Sequence, residues 1–260
     1  MRRKRKVLAG LASLTLFDLA AATAPGAAQP AQTGGDYQWA GLYIGGNAGY
    51  RLADVNFSGP GYKFNDGTGT VTFPPVNQSY HSRSGIVGSQ IGYNLVLIPA
   101  ILAGWEADWD WAANDAAALT AFSGVDTSGD GFTFHANSEV KLHWQSSVRG
   151  RLGIIEGPVL FYATGGVAFI DVSWHDSEQL KTAFSGTFTS LWDADKVLTG
   201  VVAGGGMEYL VTSHWIARIE YLHERFNGFN VPFGFGPQIG TLNVPDVNKI
   251  RFAVSYKFGP

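Results

Sequence analysis

The stretch Val247 to Phe258 reads V-N-K-I-R-F-A-V-S-Y-K-F and alternates almost without a break. Side chains on a strand point to opposite faces with period two, so Ile250, Phe252, Val254, Tyr256 and Phe258 share one face. Lys249, Arg251, Ala253, Ser255 and Lys257 share the other. A helix scatters both sets, so the segment is a strand. Two kinds of sheet accept it. A water-soluble sheet turns the apolar face to a core and the charged face to solvent. A closed sheet in a membrane does the reverse, with apolar residues towards lipid and charges around an enclosed lumen.

Composition bears on that choice. Charged residues make up 15% of the chain, against about 25% in a typical soluble domain, which leaves little material for a water-facing surface. The 260 residues include no cysteine, so a disulfide framework and thiolate metal sites are excluded. Five cations, Arg2, Arg3, Lys4, Arg5 and Lys6, precede a mostly apolar run from Val7 to Ala24 and small residues at Gly26-Ala27-Ala28. This is the pattern of a secretory signal peptide, expected over residues 1–28. Its removal takes five basic residues and Asp18, leaving 13 basic and 20 acidic residues and a net charge near −7. An acidic chain argues against nucleic acid as a partner. Beyond residue 28 no apolar run is long enough for a helical span, so membrane insertion, if it occurs, requires a closed sheet.

Residues 29–38 read as a linker and residues 39–260 as one all-β domain. Alternation recurs over Trp39–Arg51, Arg83–Leu95, Ala100–Trp111, Lys141–Gly153, Val159–Asp171, Asp195–Tyr209, Trp215–Tyr221 and the closing segment. The segments 52–82, 112–140, 172–194 and 226–246 are rich in Gly, Pro, Asn and Ser and read as long loops. The connections at 96–99, 154–158 and 211–213 are short. Eight strands with three short and four long connections fit an antiparallel up-and-down transmembrane β-barrel, with periplasmic turns and external loops.

Two aromatic belts are expected on the outward face. Trp39, Tyr93, Tyr209, Trp215, Tyr256 and Phe258 fall near the short-turn end, and Tyr50, Trp109, Trp111, Phe169 and Tyr221 near the long-loop end. The opposite face gathers Glu106, Asp108, Asp110, Glu208 and Glu220 with Arg149, Arg151, Arg218, Lys249 and Arg251, the expected lumen charge network. Charges in a confined interior need partners. Inward glycines leave room for the arginine arms.

Trp39 to Tyr50 (W-A-G-L-Y-I-G-G-N-A-G-Y), G-W-E-A-D-W-D-W at Gly104, Y-A-T-G-G-V-A at Tyr162, G-G-G-M-E-Y at Gly204 and the closing I-R-F-A-V-S-Y-K-F occur together. In this combination the chain resembles the opacity-type, porin-like surface barrels of alphaproteobacterial outer membranes. The resemblance implies an eight-stranded barrel, insertion by the outer-membrane assembly machinery, and an abundant surface or envelope-integrity protein in contact with lipid and lipopolysaccharide. It also implies loops available to a host or envelope partner. Such chains end on the aromatic residue, whereas here Gly259 and Pro260 follow Phe258.

Chemical motifs are sparse. Asp126 to Gly131 begins like a calcium loop, but its twelfth position is Asn137 and no helical pattern flanks it, so it reads as a turn. Glu106 with Asp108 reads as lumen charge rather than a catalytic pair. His223 with Glu224 is the one fragment suggestive of hydrolysis. No catalytic, cofactor or metal site is expected. The leading expectation is an outer-membrane barrel with a structural or interactive role. A narrow channel for ions or small solutes and a secreted lipocalin-like barrel are the alternatives.

Overall fold

The computed structural model describes residues 38–112, 115–127, 129–183, 185–236 and 238–259. The expected signal peptide and all of the expected linker except Gln38 lie outside the described residues. The elements are β1 (Gly41–Gly59), β2 (Tyr62–Asn65), β3 (Thr70–Phe73), β4 (Val76–Ile98), β5 (Ile101–Ala112), β6 (Asp115–Val125), β7 (Gly131–Glu156), β8 (Val159–Thr182), β9 (Gly186–Leu210), β10 (Trp215–Phe226), β11 (Phe229–Phe233) and β12 (Gln238–Lys257). Among the described residues there is no helix.

Eight of these strands form a ring in the order β1-β4-β5-β7-β8-β9-β10-β12, and β12 returns to β1 to close it. Every pairing in the ring is antiparallel. The closing ladder runs from Tyr43 opposite Lys257 to Ser58 opposite Thr241. Closure leaves no open edge in the wall, which a sheet in hydrocarbon requires. β6 takes over from β5 beside β7, and β11 takes over from β10 beside β12. The hairpin β2–β3 stands outside the ring.

Three connections at one end are tight. Gly157, at φ +58°, supplies the left-handed residue between β7 and β8. Thr212 Oγ1 accepts the N–H groups of His214 and Trp215 at 3.3 and 3.1 Å and so fixes the β9–β10 turn. At the other end the segments expected as long loops are mostly strand. β7 is 26 residues long, β9 is 25 and β8 is 24, against about 9–11 for a membrane crossing.

The polarity of the wall reverses along these strands. On β8 the outward residues are apolar through Phe161, Ala163, Val167 and Phe169, then polar from Asp171 through Ser173, His175, Ser177 and Gln179. Its inward residues do the opposite, with Tyr162 and Thr164 below and Ala168, Ile170, Val172 and Trp174 above. On β1 the outward face changes between Leu52 and Asp54, and the inward face between Arg51 and Ala53. The outward apolar stretch of β1, Leu42 to Leu52, therefore rises about 25 Å at a strand tilt near 40°, the height of a barrel's lipid-facing band. Beyond it the barrel continues with an apolar core of its own, built from Val55, Phe57, Ile170, Val172, Trp174 and their neighbours. That inversion is why the upper segments read as loops: apolar–polar alternation persists there, but with fewer apolar residues and with Gly and Asn interspersed.

A bulge on β7 changes one further expectation. The β7–β8 register jumps between Leu142 and Gln145, so His143 and Trp144 both lie on the outer side. Above the bulge the phase shifts by one: Leu142 is buried in the core, and Lys141 pairs with Glu139 on the outer side. Lys141 and His143 therefore do not share the face of Arg149 and Arg151, as unbroken alternation would require.

Candidate functional site

The interior of the apolar-belted zone is a layer of ions. Glu106 of β5 lies directly opposite Arg149 of β7 in the ladder, Glu208 of β9 opposite Arg218 of β10, and Glu220 opposite Arg251 of β12. All six are buried, as are Asp108, Asp110, Arg151 and Lys249. Arg149 donates to Asp108 and Glu220 at 2.8 Å each and also binds Glu106. Arg251 binds Asp110 at 2.9 Å, Asp108 at 3.3 Å and Glu220. Arg218 bridges Glu106 and Glu208 at 2.6 Å each. Arg151 reaches Glu208, and Lys249 binds Asp110 at 3.1 Å. All ten residues expected in the lumen thus lie in one connected layer.

Sequence reading missed several members. Glu224 binds Lys249 at 2.6 Å and accepts Gln145 Nε2 at 2.9 Å. Arg51 donates to Gln145 Oε1 at 3.3 Å and to the Leu142 carbonyl at 3.2 Å. Tyr43 donates to Glu106 at 2.6 Å, and Tyr162 to Glu220 at 2.8 Å. The signal was available in phase: Glu224 stands two alternations beyond Glu220, and Arg51 four beyond Tyr43. With these two included, six cations (Arg51, Arg149, Arg151, Arg218, Lys249 and Arg251) face six carboxylates (Glu106, Asp108, Asp110, Glu208, Glu220 and Glu224). The layer is neutral as a whole, which is what makes burial of so many charges tolerable.

Inward glycines make the space. A Cβ on Gly206 would stand 2.6 Å from the Tyr162 hydroxyl, and one on Gly92 would collide with the Tyr43 ring.

Apolar clusters flank the layer on both sides. Below it, Trp39 packs with Leu102, Leu160, Tyr162, Leu210 and Ile216. Trp39 is fully buried, and its Nε1 donates to the Gly157 carbonyl at 3.2 Å. This corrects its expected place in an outward belt. It precedes β1, so strand alternation does not govern it, and the ring folds in beneath the barrel. Above the ions stands the apolar core already described.

The other belt residues face outward. Tyr93, Tyr209, Trp215 and Phe258 are exposed near the tight turns, and the Tyr256 ring meets Trp215 and Phe258 at 5.3 and 5.1 Å. Tyr50, Trp109, Trp111 and Tyr221 are exposed at the upper border, with Phe169 half-buried beside them. Trp144, brought out by the β7 bulge, stacks on Trp109 at 4.4 Å.

The remaining motifs separate. His223 contacts Asn248 at 2.9 Å on the outer wall, whereas Glu224 points into the ion layer, so the two cannot act together. Asp126 Oδ1 accepts the Asp130 N–H at 2.9 Å in a closed turn. Among the described residues no three His, Cys, Asp or Glu side chains gather as a metal ion would need.

The family model for the outer membrane protein beta-barrel domain matches residues 19–258. The chain belongs to this family. The 31 kDa outer-membrane immunogenic protein of Brucella melitensis is 27% identical over 240 residues, covering 85% of each chain. The 22 kDa outer membrane protein of Rhizobium leguminosarum bv. viciae is 27% identical over 222 residues, covering 85% of this chain and 78% of its own. Among solved structures, the outer membrane protein OprG from Pseudomonas aeruginosa aligns over 86% of this chain and all of its own, at 11% identity and a TM-score of 0.46. The protein is an outer-membrane β-barrel, its apolar belt facing lipid, in the lipid and lipopolysaccharide context of that membrane. The soluble lipocalin-like alternative fails on the exposed belt of Ile44, Val148, Phe161, Phe252 and Val254.

Proposed function

We propose that this outer-membrane barrel is a closed, non-conducting structural element that carries a folded interaction surface well above the membrane. The observation that supports this is the filled interior: six cations and six carboxylates buried in one neutral layer, between the Trp39 cluster and the apolar upper core. An ion crossing such a lumen has to displace protein counter-ions and then pass through close-packed side chains, which an eight-stranded wall leaves no room to bypass.

The charge layer serves strand register. A one-residue slip of a wall strand that carries part of the layer sends its charged side chains into lipid, at about 2–4 kcal/mol for an Arg near mid-bilayer. Only one register brings all twelve groups together. Insertion by the outer-membrane assembly machinery, with β12 as the closing strand, fits this arrangement. The outer wall of the extension, polar and lined with Asp54, His81, His175 and Asp193, is the face available to host or envelope partners. We assign no catalytic role, because His223 and Glu224 point to opposite faces and Glu106 and Asp108 are consumed by Arg149.

Planar-bilayer recording on the folded protein tests the reading. The expected result is no stable unitary conductance, for the wild type and for Trp39→Phe alike. Reproducible single-channel steps sensitive to Arg149 or Arg251 substitution would support a narrow pore and overturn the closed barrel.

A further inference from the structure

The inward face of β8 above the membrane carries Val172, Trp174, Leu180 and two exceptions, Asp176 and Glu178. Both carboxylates are more than nine-tenths buried. Ser138 Oγ donates to Asp176 Oδ1 at 2.6 Å, and the Tyr62 hydroxyl and the Gly234 N–H support Glu178, but Asp176 Oδ2 and Glu178 Oε2 have no hydrogen-bond partner. Among the described residues neither forms an ion pair. The lumen layer below shows how this chain treats buried carboxylates elsewhere: each meets a guanidinium or an ammonium. An uncompensated buried carboxylate oxygen costs several kcal/mol and calls for an explanation.

The two side chains line a cavity of about 280 Å3 that opens to solvent. Five aromatic rings, Phe57, Tyr62, Phe73, Phe134 and Phe233, make up much of the remaining wall. Tyr62 stacks on Phe73 at 4.6 Å and meets Phe233 edge-on at 5.9 Å; Phe73 meets Phe134 at 5.1 Å, and Phe57 meets Phe233 at 5.3 Å. The hairpin β2–β3 supplies Tyr62 and Phe73 as a roof. Residues 76–78 of β4 form one side, in the part of β4 that lies beyond its ladder with β5, which ends at Ile86 opposite Ala112.

We propose that this cavity binds a small organic cation, an ammonium group attached to an apolar body. The carboxylates supply the counter-charge at the base, and the π-faces hold both the cation and its hydrocarbon part. A hard metal ion fits less well, since it needs six or more oxygen ligands and most of the lining is aromatic or aliphatic. An anion meets two carboxylates and is refused.

Isothermal titration of the full folded chain in detergent micelles, with empty micelles as the blank, provides the test. The probes are 2-phenylethylammonium, its anionic counterpart 3-phenylpropanoate and the neutral 3-phenylpropan-1-ol. Saturable one-to-one binding is expected for the ammonium alone. The double substitution Asp176→Asn/Glu178→Gln should weaken it at least tenfold, and Phe73→Leu should weaken it severalfold. Asp54→Asn, an acid removed from the outer wall, should leave it unchanged. Heat-dependent gel mobility reports that each variant still forms the barrel. Equal binding of all three probes, unchanged binding in the double variant, or no saturable binding of the ammonium up to millimolar concentration would each overturn the proposal. The last result would mean that the pair sits in the cavity without a ligand, as protonated carboxyls.

Discussion

Arg149 of β7 and Glu220 of β10 meet across the lumen at 2.8 Å, although β8 and β9 lie between them on the wall. The contact is a strut through the barrel rather than a rung of one ladder. Arg149 also holds Glu106 and Asp108, so a single guanidinium ties three carboxylates from two strands. Removing Arg149 leaves Glu106, Asp108 and Glu220 buried with one cation fewer each, with Arg218 and Arg251 left to compensate them. Arg149→Met should cost about 3–5 kcal/mol, whereas Arg149→Met combined with Glu220→Gln should cost clearly less than the sum of the two singles. Urea-dependent folding into lipid vesicles measures both, and strict additivity would place the two residues in independent environments.

The lipid-facing side predicts a different pattern. Val254 lies midway along the outward apolar row of β12 and is exposed. Val254→Arg should cost about 2–4 kcal/mol in the same assay. Ser173→Arg, on the outer wall of β8 above the polarity change, should stay within about 0.5 kcal/mol. Gly104 is not the mild site that its inward position suggests, since an added Cβ would stand 2.5 Å from the Tyr93 carbonyl oxygen. Gly104→Ser therefore forces the wall to shift and should be destabilising.

The legible parts of the chain were those where one rule holds without interruption. Arg149, Arg151, Arg218 and Arg251 are in phase with Glu106, Glu208 and Glu220 because each wall strand alternates cleanly across the bilayer, and phase alone puts them on one face. Three things escaped that rule. Trp39 lies before the first strand, where a ring is free to turn inward. Lys141 and His143 lie above an inserted residue that resets the phase, and nothing in K-L-H-W-Q marks where it falls. The upper walls invert: Val172, Trp174 and Leu180 point in while Ser173 and His175 point out, the reverse of the zone below. A search tuned to apolar-out alternation passes over them as loop. Which carboxylate meets which guanidinium depends on ladder register, which alternation leaves open.

Trp39 offers a test of the lower seal. Its side chain is fully enclosed by Leu102, Leu160, Tyr162, Leu210 and Ile216. Trp39→Ala should cost about 3–5 kcal/mol through the cavity it leaves, whereas Trp215→Ala, taken from the exposed belt near the same end, should cost less. Acrylamide quenching of single-tryptophan variants distinguishes the two positions directly. Trp39 should be the more protected, and equal quenching would return it to the outer face.

The upper core should respond to pH through Glu178. Burial, and then the neighbouring Asp176 carboxylate, push its pKa from 4.5 up to about 8, against weaker help from the Gly234 N–H and the Tyr62 hydroxyl. Burial raises Asp176 as well, opposed by Ser138 and by His175. An acid that holds its proton more tightly when folded contributes stability that is fully present below its unfolded pKa and is lost as pH rises through the folded one. The upper barrel should therefore be most stable near pH 4.5 and weaken up to about pH 8, with a ceiling of about 5 kcal/mol from this group. Hydrogen exchange of amides 172–182, corrected for intrinsic rates, reads that zone separately from the membrane ring. Protection should fall across this window in the wild type and flatten in Glu178→Gln, while amides 159–168, inside the lipid belt, should hold steady. A wild-type profile as flat as that of the glutamine variant would mean that Glu178 ionises with ease and that solvent or a counter-ion already reaches it.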